Sequence, residues 1–208
     1  MATIIKKSFI ASLLISLSCI GFLVSDNIYI GAILFSFGIH GIIFLEGYLY
    51  TGIAGEGFLA IINKDYKIIK KIFYVWFFNI FFMIIIGILF RFFLKKELIK
   101  RSYKIFELKI TNSFIYSFIM AIFCGIIIYI AICAIRQNIY IISVPAIIIF
   151  IISGFEHSIA NIFYYTLSIA SYNELYNSLI HLFIVTFGNF IGCNIIPITL
   201  YQKNRKEQ

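Results

Sequence analysis

The residues best suited to chemistry lie in Gly154-Phe155-Glu156-His157-Ser158-Ile159-Ala160-Asn161, where a carboxylate, an imidazole and an amide interrupt a long apolar run. An imidazole takes up or gives off a proton near neutral pH. The sequence offers no HExxH pattern and no second carboxylate spaced to pair with Glu156, so the hydrolytic chemistries that need such sets are not indicated. As helical neighbours, Glu156 and His157 would point about 100° apart, which argues against a shared metal site. Cys19, Cys124, Cys133 and Cys193 form no CxxC or Cys/His pair and read as packing thiols. No enzyme, cofactor or metal is expected.

These polar groups must sit in a bilayer. Of the 208 residues, 62% are hydrophobic and only 12% charged, the composition of an integral membrane protein. Ionisable side chains at membrane depth mark functional sites. At roughly 20 residues per crossing, the chain holds about six spans as one transmembrane domain over residues 1–208, with no room for a soluble domain. The net charge of +8 comes from short Lys and Arg clusters between apolar runs. Headgroup anchoring explains that pattern better than nucleic acid, which would call for one basic face. Lys6-Lys7 followed by uncharged Ser8 to Val24 has a signal-peptide look, but cleavage there would remove the first of six matched elements.

The apolar runs are Ser8 to Val24, Ile28 to Asn63, Ile72 to Phe90, Ser113 to Ile135, Gln137 to Asn173, and Leu175 to Gln202. The second and fifth, 36 and 37 residues long, exceed one crossing and fall short of two. Both are interrupted midway: the second by seven glycines, His40, Glu46 and Glu56, the fifth by Pro145, Gly154, Glu156 and His157. The fold class that follows is all-α: six transmembrane helices in two inverted three-helix repeats (about 6–95 and 110–203) with broken second and fifth helices. Phe78-Asn79-Ile80-Phe81 and Gly188-Asn189-Phe190-Ile191 echo one another in the third elements. Paired broken helices in inverted repeats point to a central permeation site, so transport is expected.

With both termini cytoplasmic, the inner side carries Lys6, Lys7, Lys64, Lys67, Lys70, Lys71, Arg136, Lys203, Arg205 and Lys206. Seven cations, Arg91 to Lys109, fall outside. The excess obeys the positive-inside rule and places the chain in the plasma membrane as a multi-pass protein. The 91–109 stretch is expected as an amphipathic surface segment with Leu94, Leu98, Ile99, Ile105 and Leu108 toward the headgroups. His40 reads as a packing histidine and His181 as interfacial, while Glu46 and Glu56 flank the first break as loop supports.

GFEHSIAN at 154–161 resembles the signature of the formate/nitrite transporter family, aquaporin-like pentameric channels for small monovalent anions including hydrosulfide. Phe35-Ser36-Phe37-Gly38-Ile39 with Leu49-Tyr50-Thr51-Gly52 is similar to that family's interrupted second helix, and Phe187-Gly188-Asn189-Phe190-Ile191-Gly192 to its last helix. The resemblance runs from about Lys6 to Gln202. It implies that His157 is the central pore histidine facing the Thr51 hydroxyl, that Phe35 and Phe150 form one constriction, and that Ile39 and Leu49 contribute to the other. Glu156, Asn161, Gly52 and Gly154 would support the broken helices. It further implies a homopentamer in the lipid bilayer passing a small anion or its neutral acid, whose protonation lowers the desolvation cost of an apolar slit.

Some positions depart from the family pattern. The lysine that most members carry shortly before the fifth helix would fall at Gln137 to Ile139, with only Arg136 nearby. Gly125 replaces an Asn, Phe78 a packing glycine, and Thr166 a Pro. A missing lysine leaves open a channel for neutral solutes such as water, ammonia or hydrogen sulfide, or a degenerate non-transporting member. The permeant itself is not legible.

Overall fold

In a computed structural model, the backbone is described for residues 1–206 and side chains for residues 1–201. Lys203, Arg205 and Lys206, used above for orientation, have side chains outside the described residues. Every regular element among the described residues is helical: α1 (Ala2–Val24), α2 (Ile28–Phe44), α3 (Tyr50–Ile53), a 3-10 turn (Ala54–Glu56), α4 (Gly57–Ile62), α5 (Tyr66–Phe93), α6 (Lys96–Thr111), α7 (Phe114–Arg136), α8 (Tyr140–Ile152), α9 (Ser158–Ser168) and α10 (Tyr172–Lys206). Four of these are long and apolar enough to cross a membrane, namely α1, α5, α7 and α10 over Tyr172–Tyr201. Shorter apolar helices lie on either side of the expected breaks.

The starts and stops follow from single residues. Asn27, Asp65 and Ser113 cap α2, α5 and α7 by accepting backbone N–H bonds from the first turn. Helices α2, α4, α7 and α8 each end on a residue with positive φ: Glu46, Lys64, Asn138 and Gly154. In each case the next amide reaches back to the last full turn: Gly47 N–H to Ile42 O, Asp65 to Ala60, Ile139 to Ala134, Phe155 to Phe150. That pairing satisfies carbonyls which a helix end would otherwise leave bare, and bare carbonyls are costly at membrane depth. The breaks at 45–49 and 153–157 are thus formed helix ends, not frayed segments.

Helix α10 runs along α7, and α1 lies between α2 and α5. The buried interior is apolar around Ile15, Phe35, Ile39, Met83, Ile128, Ile147 and Phe163, while Phe44, Phe92, Phe93, Ile115 and Ile141 face outward. Cys19, Cys124 and Cys193 are buried and unpaired, and Cys133 is half-buried.

Two sequence expectations need correction. Of the residues assigned to headgroups, Leu94, Leu98 and Ile105 pack on the core instead. Helix α6 tucks Ser102 and Phe106 against α9 and leaves Leu108 exposed. His181 is not interfacial: it is 1% exposed and bonded to the Tyr165 hydroxyl and Ser117 Oγ. His40 does pack, with Nδ1 on Ser36 O and Nε2 on Ser143 Oγ.

Candidate functional site

The two breaks meet in the middle of the bundle, held by two asparagines in the same way. Asn79 of α5 accepts the Tyr50 N–H (2.8 Å), the first amide of α3, and donates to Tyr48 O (3.0 Å) and Ser8 O of α1 (3.2 Å). Asn189 of α10 accepts the Ser158 N–H (2.9 Å), the first amide of α9, and donates to Glu156 O (2.7 Å) and Ala121 O of α7 (2.9 Å). Both are wholly buried. Each amide replaces the helical bonds that its break removes, which is why such a group is tolerated away from water. A third asparagine, Asn194, was not singled out in the sequence; it accepts from Phe58 N–H and donates to Ala54 O, fixing the kink between α3 and α4. Its signal was available as one more polar residue on the Asn189 helix.

Ser158 begins α9, and His157 caps it from extended backbone (φ −113°, ψ 112°). The Ala160 N–H donates to His157 Nδ1 at 3.2 Å. A backbone amide can only donate, so Nδ1 is the bare nitrogen and Nε2 carries the proton. That Nε2–H points at Thr51 Oγ1, 2.9 Å away, and both residues are at most 2% exposed. The Thr51 hydroxyl hydrogen stays free for another acceptor.

On one side of this pair lies a cavity of about 380 Å³ bordered by Phe35, Phe150, Glu156, His157, Asn161 and Lys109. The Phe35 and Phe150 rings are 5.8 Å apart at its floor. Glu156 and His157, expected to point apart, both border it, because they stand in extended chain before α9 rather than on a helix. The other cavity, about 340 Å³, is bordered by Ile39, Leu49, Gly52, Ile53 and Ile132. Phe35 and Ile39 are one turn apart on α2, so the two spaces lie at neighbouring levels of the bundle. Lys7, Lys71 and Arg136 line the second cavity beside Glu46 and Glu56. Lys7 and Lys71 stand over the Tyr48 ring. Glu46 pairs with Lys7 at 2.7 Å with its side chain 79% exposed, at the cavity's mouth rather than on loop amides.

The sequence reading missed a cation. Lys109, near the end of α6, places Nζ 2.7 Å from Glu156 Oε2, and Asn161 Nδ2 donates to the same oxygen at 2.7 Å. The side chains are 14% and 2% exposed, so this is a buried charge pair with its amide partner in place. A cation thus borders the first cavity from a helix outside the interrupted elements, whereas positions 137–139 follow Arg136, which lines the second. At Gly125, a Cβ would lie 2.5 Å from Asn189 O, which leaves no space for the Asn of the family pattern. Among the described residues, no group of three or more His, Cys, Asp or Glu is placed to hold a metal.

Comparison with known proteins bears on the fold and the family. A family model described as formate/nitrite transporter matches residues 1–202. Among solved structures, a pentameric formate channel with formate bound superposes with a TM-score of 0.83 at 20% identity, covering 98% of this chain and 97% of that one. An FNT family ion channel superposes at 0.78 with 18% identity, covering 98% and 88%. None of the curated proteins compared with the chain matches it. At those identities the superpositions establish the fold alone, while the family match extends over nearly the whole sequence: the chain belongs to the formate/nitrite transporter family.

Proposed function

We propose that the chain is a passive or proton-linked channel for a small monovalent anion or its conjugate acid. The observation that carries this reading is the buried Thr51–His157 hydrogen bond standing between two cavities, with a buried cation on one side of it. Lys109 draws an anion into the cavity against the competing pull of Glu156. At the Phe35 and Phe150 rings a bare anion would forfeit its hydration, a loss far greater than for a neutral acid, so passage favours the protonated form. Thr51, held by the His157 Nε2–H, offers its free hydroxyl hydrogen to the permeant within this dry layer, where an unmatched polar group costs about 1–3 kcal/mol. Ile39 and Leu49 form the second constriction. Gly154, at φ +66°, allows the chain its turn after α8, and Gly52 supports the other break from within α3.

Each interrupted pair, α2 with α3–α4 and α8 with α9, makes one crossing, so the chain spans the plasma membrane six times as two inverted repeats in a single domain. The matched Asn79 and Asn189 bonds support that symmetry. Both termini are cytoplasmic, and five copies assemble, as in the formate channel it resembles. The neutral-solute alternative drew its force from an absent lysine, and Lys109 favours the anion. The test is uptake of formate, nitrite and hydrosulfide into proteoliposomes across a pH series, with His157→Ala in parallel. Anion-linked, pH-dependent flux lost in the variant is expected; residual neutral-solute permeability with no anion flux would transfer the assignment to the alternative.

A further inference from the structure

His181 of α10 is a buried ionisable group that borders neither cavity. Each of its ring nitrogens meets a hydroxyl: Nδ1 that of Tyr165 on α9, and Nε2 that of Ser117 on α7, 3.0 Å away. A hydroxyl either donates or accepts, so both bonds survive when the ring passes from neutral imidazole to imidazolium, with both hydroxyls then accepting. His157 differs. Its Nδ1 accepts the Ala160 N–H at the start of α9, and a second proton there would set two donors face to face and undo the cap. The bundle thus holds one histidine whose partners require it neutral and one whose partners suit either charge state.

Tyr165 links His181 to the first cavity. It stands one turn after Asn161 on α9, and Asn161 Nδ2 holds the same Glu156 oxygen as Lys109 does. The Tyr165 ring also meets Phe106, 5.6 Å between centroids, three residues before Lys109 on α6. Among the described residues, the charged groups that act on His181 are Glu156, just ahead of α9, and Lys109 of α6. From α7 it meets the Ser117 hydroxyl, and from α9 the Tyr165 phenol.

We propose that His181 takes up the proton by which this channel responds to acid, and that it acts as a positioning residue, loosening the hold of Glu156 on Lys109. This rests on the channel reading, in which Lys109 draws the anion in. The imidazole gains one proton from water, and no other covalent bond forms or breaks. The charged ring attracts Glu156 and repels Lys109, and away from water such forces are weakly screened. Tyr165, now accepting from Nδ1–H, turns its own hydrogen elsewhere. Lys109 Nζ is then held less firmly by Glu156, and an incoming anion in the cavity is its alternative partner.

The chain has three histidines, His40, His157 and His181, so nitrogen NMR of the histidine-labelled full chain in lipid nanodiscs resolves each ring. His40→Gln identifies the first, and the shift that Thr51→Val gives Nε2 identifies His157. From about pH 8 to 5, both nitrogens of His181 are expected to reach imidazolium positions while His157 keeps a bare Nδ1. A His157 ring that protonates first, or a His181 ring that stays neutral throughout, would overturn the proposal. In proteoliposomes, the formate anion concentration for half-maximal uptake should fall several-fold from the alkaline to the acid end, and His181→Gln should remove that dependence. A purely structural role would alter uptake alike at every pH and leave the acid-to-alkaline ratio intact, which would also refute the assignment. A wild type with no anion uptake would fail the channel reading instead; the titration needs no transport and still decides where the proton lodges.

Discussion

Replacing Lys109 with methionine would leave Glu156 buried, charged and held only by the Asn161 amide. The two side chains are 14% and 2% exposed and 2.7 Å apart, so the lost partner could be replaced by solvent only from the cavity they border. Removing one member of a buried pair costs about 3–5 kcal/mol, whereas replacing both with neutral groups of similar volume is often neutral. At about 2–4 °C per kcal/mol for a chain of this length, Lys109→Met should lower Tm by roughly 6–20 °C. The double variant Lys109→Met with Glu156→Gln keeps an amide contact to Asn161 and should recover most of that loss. Thermal unfolding of the four proteins in one detergent completes the cycle and isolates the coupling. A double variant as unstable as Lys109→Met alone, or a single variant with unchanged Tm, would refute a buried and mutually dependent pair. The same Lys109→Met protein in liposomes should lose anion uptake while neutral acid still crosses.

Thr51→Val leaves the His157 Nε2–H facing a methyl group, at about 1–3 kcal/mol for an orphaned buried donor; uptake in proteoliposomes should fall, and an unchanged rate would take Thr51 out of the path. Asn79→Leu and Asn189→Leu each strand a helix-starting amide and two carbonyls, so both should sharply reduce the monodisperse fraction on size exclusion; a variant that behaves like the wild type would show that its break is self-supporting. Gly192→Ala sets a Cβ 2.0 Å from Ile122 O, whereas at Gly52 the nearest atom is Ile132 Cδ1 at 3.5 Å. The first substitution should therefore destabilise by at least about 1–3 kcal/mol and Gly52→Ala by much less, as read from Tm in parallel.

Much of this architecture was legible because membrane depth makes polar residues conspicuous. Gly154 and Glu46 sit where helix ends were expected, and the repeated Asn at 79 and 189 turned out to be matching supports, a likeness visible in sequence as a residue type in corresponding elements. Local pattern failed where partners are remote. Lys109 lies 47 residues from Glu156 in a stretch already rich in lysines, and nothing in its neighbourhood distinguishes it from Lys100 or Lys104, which stay exposed. His181 was placed by its distance from a span's end, yet its burial is decided by Tyr165 and Ser117 on two other helices. Glu156 and His157 were given helical directions because the flanking residues are helix-compatible; the cap at His157 and the positive φ of Gly154 draw that short segment into an extended path.

The glycine contacts between α7 and α10 restrict how the molecule can change shape. Side-chain-free backbone meets backbone at Gly125, Gly188 and Gly192, an approach that small residues permit in membranes. Along that seam neither helix can slide without driving main-chain atoms into one another. Through Asn189, the start of α9 is bolted to the same stiff beam. In the proposed channel, opening and closing would then arise in what the beam does not fix: rotation of the Phe35 and Phe150 rings, or hinging of α2 and α8 at their ends. The aperture works like a shutter turning in a rigid frame, so a cross-link between α7 and α10 should leave flux unchanged while one between α2 and α8 should stop it.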